Sequence, residues 1–298
     1  MFNFWVGILE QGLIFGIMAL GVYISYKILD FPDLSVDGSF PLGAAVTATA
    51  LTSGISPAIA CMLSLLAGAI AGSITGILHV KLKITNLLSG IIVMTGLYSV
   101  NLRIMGKANI PLFNKQTIFT DSNNTLTVIL IFVLLTKYIL DFFLDTKIGF
   151  LLKATGDNPK LITSLGIDKG KIKILGLAIS NALVALSGSI MAQYQSFSDV
   201  GMGSGIVVMG LAAIILGEAL FKKVSALKLT TVAVLGAILY KSSIGVALKL
   251  GLEPTDLKLI TSLIVVCALG LSQNKIKLKI KRLSLWGGMS NAKNTETF

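Results

Sequence analysis

DTKIGFLLKATGDNPKLITSLGIDKGKIK, residues 145–173, is a polar island between two long apolar runs, residues 125–144 and 174–193. It carries Lys147, Lys153, Lys160, Lys169, Lys171 and Lys173 against Asp145, Asp157 and Asp168. With apolar sequence on both sides, the island must lie in water, and its lysine excess places that water on the cytoplasmic side. Local punctuation marks a short helix within it. Asp157 or Asn158 caps, Pro159 fills the first helical position, Lys160 to Leu165 continue, and Gly166 stops. Leu161, Ile162, Leu165 and Ile167 of that segment need a partner surface.

The same polarity contrast runs through the whole chain. Its 298 residues are 54% hydrophobic and 13% charged, against about 25% charged in soluble domains. The apolar residues gather in runs of about 20, the length that crosses ~30 Å of hydrocarbon. The fold class is therefore an all-α polytopic membrane protein, with about eight to ten transmembrane segments, two of them short or broken. The first run has no basic leader and no small-residue cleavage site, so it reads as a span and not as a cleaved signal. Net charge is +11, and the lysines sit in loops and tail. Topology and anionic lipid headgroups account for them, with no nucleic acid partner needed. Cys61 and Cys267 both fall inside apolar runs and read as core residues. His79 is the single histidine, so a histidine metal site has no second member.

Taken in order, residues 5–29 form the first span, with Glu10 early and Gly12 and Gly16 in a GxxxG. LDFPDLSVDGSFPLGAAV, residues 29–46, then places Asp30, Asp33 and Asp37 between Pro32 and Pro41, which break helix on either side. A broken helix capped by Asp37 or Ser39 fits the short run that follows. Residues 57–80 span with Gly68, Gly72 and Gly76 on one smooth face, and end in His79, Lys81 and Lys83 on the cytoplasmic side. Residues 84–105 return with Asn86 and Ser89 early and Asn101 and Arg103 late. Residues 106–124 are an external loop. Beyond the island, residues 174–193 carry Asn181, and SFSDVGMGSG, residues 196–205, reads as an external turn. Residues 206–220 are a short run ending at Glu218, Lys222 and Lys223; residues 224–246 and 257–271 complete the spans. The division is a permease domain over residues 1–272, with its cytoplasmic region at 145–173, and a basic cytoplasmic tail over 273–298 containing KIKLKIKR. The amino terminus is expected outside.

A faint repeat relates DLSVDGSFPLGAAV (33–46) to DVGMGSGIVVMGLAA (199–213), and TNLLSGIIVMTG (85–96) to TDLKLITSLIVV (255–266). The two halves face opposite ways, the pattern of inverted-repeat transporters with a pathway at the repeat interface. No GxxxxGK[ST], HExxH, CxxC or GxSxG occurs, so catalytic residues and metal ligands are none, and energy comes from an ion gradient or a separate ATPase. The mid-span regions read as almost free of ionisable groups, unlike a gradient-driven carrier. Asp30, Asp33, Asp37, Asn86, Ser89 and Asn181 are the candidates for a substrate pathway; capping and helix glue are the competing roles.

Residues 153–190, with Ala154, Gly156, Leu161, Gly166, Ile167, Ala185, Leu186 and Gly188, resemble the coupling-helix region of ABC-importer permeases of the branched-chain amino acid and ribose permease superfamily. Residues 10–46 and LLSGIIVMTGLYSVNLRIMGKANIPL, residues 87–112, resemble the tryptophan/tyrosine-type subgroup. The resemblance implies a permease homodimer in a bacterial plasma membrane and an extracellular substrate-binding lipoprotein. It also implies cytoplasmic ATPase subunits that carry ATP and Mg, leaving no cofactor in this chain. Coupling would fall to Gly156, Asp157, Asn158, Pro159, Lys160, Leu161, Ser164, Leu165, Gly166 and Ile167. The alternative is an ion-gradient-driven secondary transporter; a membrane-embedded enzyme is a more distant reading.

Overall fold

The computed structural model describes residues 2–120, 124–221 and 227–251, with single positions at 256, 259, 262, 263 and 266. The span expected over 257–271, Lys222, Lys223, Cys267 and the tail over 273–298 lie outside the described residues. In chain order the helices are α1 (Phe2–Val22), α2 (Val36–Thr52), α3 (Pro57–Lys81), α4 (Asn86–Met105), α5 (Thr125–Leu144), α6 (Lys147–Asp157), α7 (Pro159–Ser164), α8 (Lys169–Gln195), α9 (Ile206–Phe221) and α10 (Leu229–Lys249). Seven helical segments among the described residues are long and apolar enough to cross a membrane. At 17 residues α2 is the shorter companion. The chain is a polytopic all-α membrane protein.

Two long helices form the centre. In the most apolar stretch of α1 and of α8, 67% and 72% of residues are buried, against 28% for α4 and for α5; the latter pair faces outward. α1 packs along α10 and α9, and α8 packs along α3 and α2. The α1–α10 and α3–α8 packings are antiparallel. Gly12 meets Ile238 and Gly16 meets Val234, while Gly68, Gly72 and Gly76 meet Asn181, Leu177 and Ile174 in turn. The small-residue face expected on α3 is thus where two backbones touch.

Each central helix is followed by a break and a shorter helix. α1 runs into a π-helical turn, Tyr23–Ile28, after which Asp30 adopts φ +50° and the chain reverses. Asp33 Oδ1 then accepts the Ser35 amide at 2.8 Å, and α2 climbs outward, tied by Thr47 Oγ1 to Ser189 Oγ at 2.6 Å. After α8, strand β2 (Phe197–Asp199) pairs antiparallel with β1 (Asn109–Pro111). A 3₁₀ turn follows over Val200–Gly203. Asp199 Oδ1 accepts the Gly201 amide at 2.7 Å, and α9 descends to pair Glu218 with Lys27 at 2.8 Å. The same Asp-led turn thus precedes two short helices that run in opposite directions, as the 33–46 and 199–213 similarity suggests.

Three sequence expectations change here. Pro41 lies inside α2 and does not break it. It stands in the second turn, so the carbonyl it leaves without an amide is that of Asp37, in the first turn, where Gly203 packs against it. The position preceding α2 is Ser35, not Asp37 or Ser39. Residues 196–205 are not a simple external turn: they pair with the 109–111 strand and then dip back to meet α2.

Candidate functional site

The polar island folds as two helices. Thr146 caps α6, its Oγ1 accepting the Gly149 amide at 3.3 Å. Asn158 closes α6 and opens α7, its Oδ1 accepting the Leu161 amide at 3.3 Å with Pro159 just inside. Gly166 then takes φ +72°, the left-handed conformation that ends a helix. Asp168 caps α8 through the Gly170 amide at 2.8 Å. The punctuation at 158–166 was legible; α6 itself was not expected.

The unit is anchored on one side and open on the other. Gly156 sits directly against the Ile28 carbonyl of the π-helical turn, so any side chain there would strike backbone. Ile162 is fully buried. By contrast Ile148, Phe150, Leu161 and Leu165 are exposed. Ile28 lies on this face and Val80 touches Gly170; the ends of α1 and α3 therefore share the island's side, and α1 begins on the opposite one. Between α6 and the bundle lies a charged cavity of ≈ 450 Å³ lined by Lys27, Asp141, Asp145, Lys153, Asp157 and Lys228 among others. Asp145 accepts from Lys228 at 3.1 Å. That hydrogen bond first, and the Asp141 charge beside it, hold the exposed lysine above its ordinary pKa.

The six candidate pathway residues separate in space. Asp33 and Asn181 meet at 2.8 Å, Asn181 Nδ2 donating to Asp33 Oδ2. Ser35 Oγ donates to Asp33 Oδ1 at 2.6 Å. Gly90 packs on the same break, beside the buried Ser89. Asp33, Ser35, Ser89 and Asn181 are all buried. Asn86 sits at the start of α4, its carbonyl accepting from Ser89 Oγ at 2.8 Å. Asp30 is exposed past the π turn. Asp37 is the one that faces a cavity, and it reaches across the repeat. Its Oδ2 accepts the Gly205 amide at 3.1 Å and its Oδ1 the Val207 amide at 2.7 Å, capping α9 with a carboxylate where the helix dipole favours one.

Asp37, Thr95, Tyr98, Ser99, Asn101 and Ser204 are among the residues lining a cavity of ≈ 490 Å³, ample for a small solute. Asn101 donates to the Gly38 carbonyl at 3.2 Å, while its Oδ1 is buried without a partner among the described residues. The expectation of almost charge-free spans also needs correction. Asp141 within α5 accepts from Lys137 at 2.9 Å and from Thr230 at 2.6 Å. Lys241 lies in the middle of α10, over the ring of Phe15 at 3.9 Å. A lysine inside the apolar run 224–246 was the available signal.

The tyrosine transport system permease protein of Clostridioides difficile (strain R20291) is 53% identical over 274 residues, covering 92% of this chain and 93% of that protein. An autoinducer 2 import system permease protein of Photorhabdus laumondii is 28% identical over 192 residues, 62% of this chain and 56% of that protein. In fold, the chain resembles the structure of PsaBC from Streptococcus pneumoniae in complex with Fab, with TM-score 0.56 at 12% identity, over 91% of this chain and 94% of that one. The family model for the branched-chain amino acid transport system permease component matches residues 4–270.

Proposed function

The chain belongs to the branched-chain amino acid transport system permease family, and from that premise we propose that it is the gate of an ATP-driven importer for an aromatic amino acid, L-tyrosine first. It is the permease component of an ABC-type transport system and not itself an enzyme. The observation that carries the substrate reading is the 53% identity with the tyrosine transport system permease, which extends over nearly all of both proteins. A binding lipoprotein delivers the solute outside, two copies of this chain enclose the pathway in the bacterial plasma membrane, and cytoplasmic ATPase subunits hold ATP and Mg.

The described residues support a division of labour. Residues 156–167 form a lever whose exposed Leu161 and Leu165 suit an apolar groove on an ATPase. Its fixed end rests on the α1 π turn through Gly156 and Ile28. Movement of α6 and α7 therefore reaches a central helix directly, and a packed contact of this kind transmits displacement because it cannot deform smoothly. Upstream, Asp37 joins α2 to α9, so the two inverted halves move about a shared helix terminus. The experiment is uptake of L-tyrosine into proteoliposomes holding this chain, its ATPase and its binding protein. Uptake that requires ATP and all three components supports the reading. Uptake by this chain alone, abolished by an ionophore, replaces it with a gradient-driven carrier.

A further inference from the structure

Among the described residues, the charged groups within the spans are nearly all answered. Asp33 has Ser35 and Asn181. Asp37 has two amides of the α9 terminus. Glu10 accepts from Tyr194 at 3.0 Å, and Asp141 has Lys137 and Thr230. Lys241 has neither a hydrogen bond nor an ion pair among the described residues; its one contact of this kind is the face of Phe15. It stands 12 positions after Leu229 and 8 before Lys249, the two ends of α10. That is roughly 18 Å and 12 Å from them at 1.5 Å per residue, inside the hydrocarbon layer.

A lysine in that position ordinarily snorkels toward the nearer interface. Here the nearer end is the outer one, and the ammonium goes the other way. α1 and α10 are antiparallel, with Ile8 against Gly245, Gly12 against Ile238 and Gly16 against Val234. Residues 9–12 of α1 are thus level with Lys241, and Phe15 lies about one turn deeper. The tilt of helical side chains toward the helix N-terminus favours this direction, but leaves the charge short of water.

The ring it sits on leads to the repeat interface. Phe15 stacks on Phe40 with centroids 5.9 Å apart and planes 15° from parallel. Phe40 follows Asp37 by three residues in α2, at the break where α2 and α9 meet, which is where inverted-repeat transporters hold their solute. The local surface agrees. Lys241, Ser242 and Ser243 are only partly buried, a polar run in place of the aliphatic surface that α3 and α5 present with Met62, Leu66, Ile70, Ile131, Leu135 and Ile139.

We propose that Lys241 is the anion-recognition group of the translocation pathway, receiving the carboxylate of the amino acid as it crosses the membrane centre. This rests on the importer reading above. An ammonium held at depth over a neutral π face gains far more from a carboxylate than from the ring alone. The Asp residues nearby are already engaged, which leaves the anion side of a zwitterion as the end that this region recognises by charge.

The test uses the complete transporter in proteoliposomes, with radiolabelled L-tyrosine as probe and Lys241→Met and Lys241→Arg as variants. Lys241→Met lowers uptake roughly ten-fold or more, the weight of a charge-assisted hydrogen bond. The melting temperature of its assembled complex is unchanged or raised, because a hydrophobe of similar volume replaces a charge with no ion pair among the described residues. Lys241→Arg keeps most of the uptake. Wild-type uptake by Lys241→Met overturns the proposal. So does failure of Lys241→Met to assemble, or a lower melting temperature, which marks a structural pair with the second copy or with a lipid phosphate. Equal inactivity of Lys241→Arg and Lys241→Met also overturns it, since charge is then not what is needed. A wild-type complex that takes up no tyrosine sinks the importer reading instead.

Discussion

Asp33 and Lys241 are both charged residues at membrane depth, and they are treated in opposite ways. Asp33 is closed by Ser35 and Asn181 within one buried knot, whereas among the described residues Lys241 meets only an aromatic face. A buried carboxylate whose two oxygens both accept hydrogen bonds specifies a shape, here the reversal between α1 and α2. A charge left over a ring is available to something that arrives. The first belongs to architecture and the second to transport, and residue type alone does not separate them.

The largest effect that sharpens this contrast is expected at the knot. Asn181→Leu removes a donor from a buried carboxylate and lowers stability by about 3 kcal/mol, measured as a fall in the melting temperature of the detergent-solubilised protein. An unchanged melting temperature would mean that Asp33 is not held as described. Next comes Asp37→Ala, which uncaps α9 and is expected to cost about 1–2 kcal/mol, with uptake falling more than stability does. A stability loss with transport intact would confine Asp37 to capping. Gly156→Ala forces a methyl group onto the Ile28 carbonyl and is expected to leave ATP hydrolysis by the assembled transporter running while uptake falls several-fold; proportional loss of both would argue against transmission through that contact. The smallest effect is at Lys228→Met. That lysine is exposed and its partner Asp145 is open to water, so melting temperature and uptake are expected to stay within error of wild type.

What the sequence made visible was mostly local. Asn158, Pro159 and Gly166 form a cap, a first-turn proline and a left-handed stop within nine residues, so α7 could be placed before the fold was known. Gly68, Gly72 and Gly76 mark a face by their spacing. Long-range partners were hidden. Asp37 caps a helix that begins 169 positions later, and nothing in the chain near Asp37 announces it. The π-helical turn at Tyr23–Ile28 was invisible because its residues are ordinary for an α-helix. α6 was missed because Lys147 and Lys153 read as basic flank, although Ile148, Leu151, Leu152 and Thr155 follow helical spacing. Pro41 misled because a proline one turn into a helix is tolerated where one deeper is not.

The proposed placement of α7 as a cytoplasmic lever is tested by labelling Leu165→Cys, with Cys61→Ala and Cys267→Ala in the background, using a membrane-impermeant maleimide. If α7 is the handle worked by an ATPase, the cysteine reacts from the cytoplasmic face only, and assembly with the ATPase subunits protects it. Reaction from the outer face, or full reactivity in the assembled complex, contradicts that role.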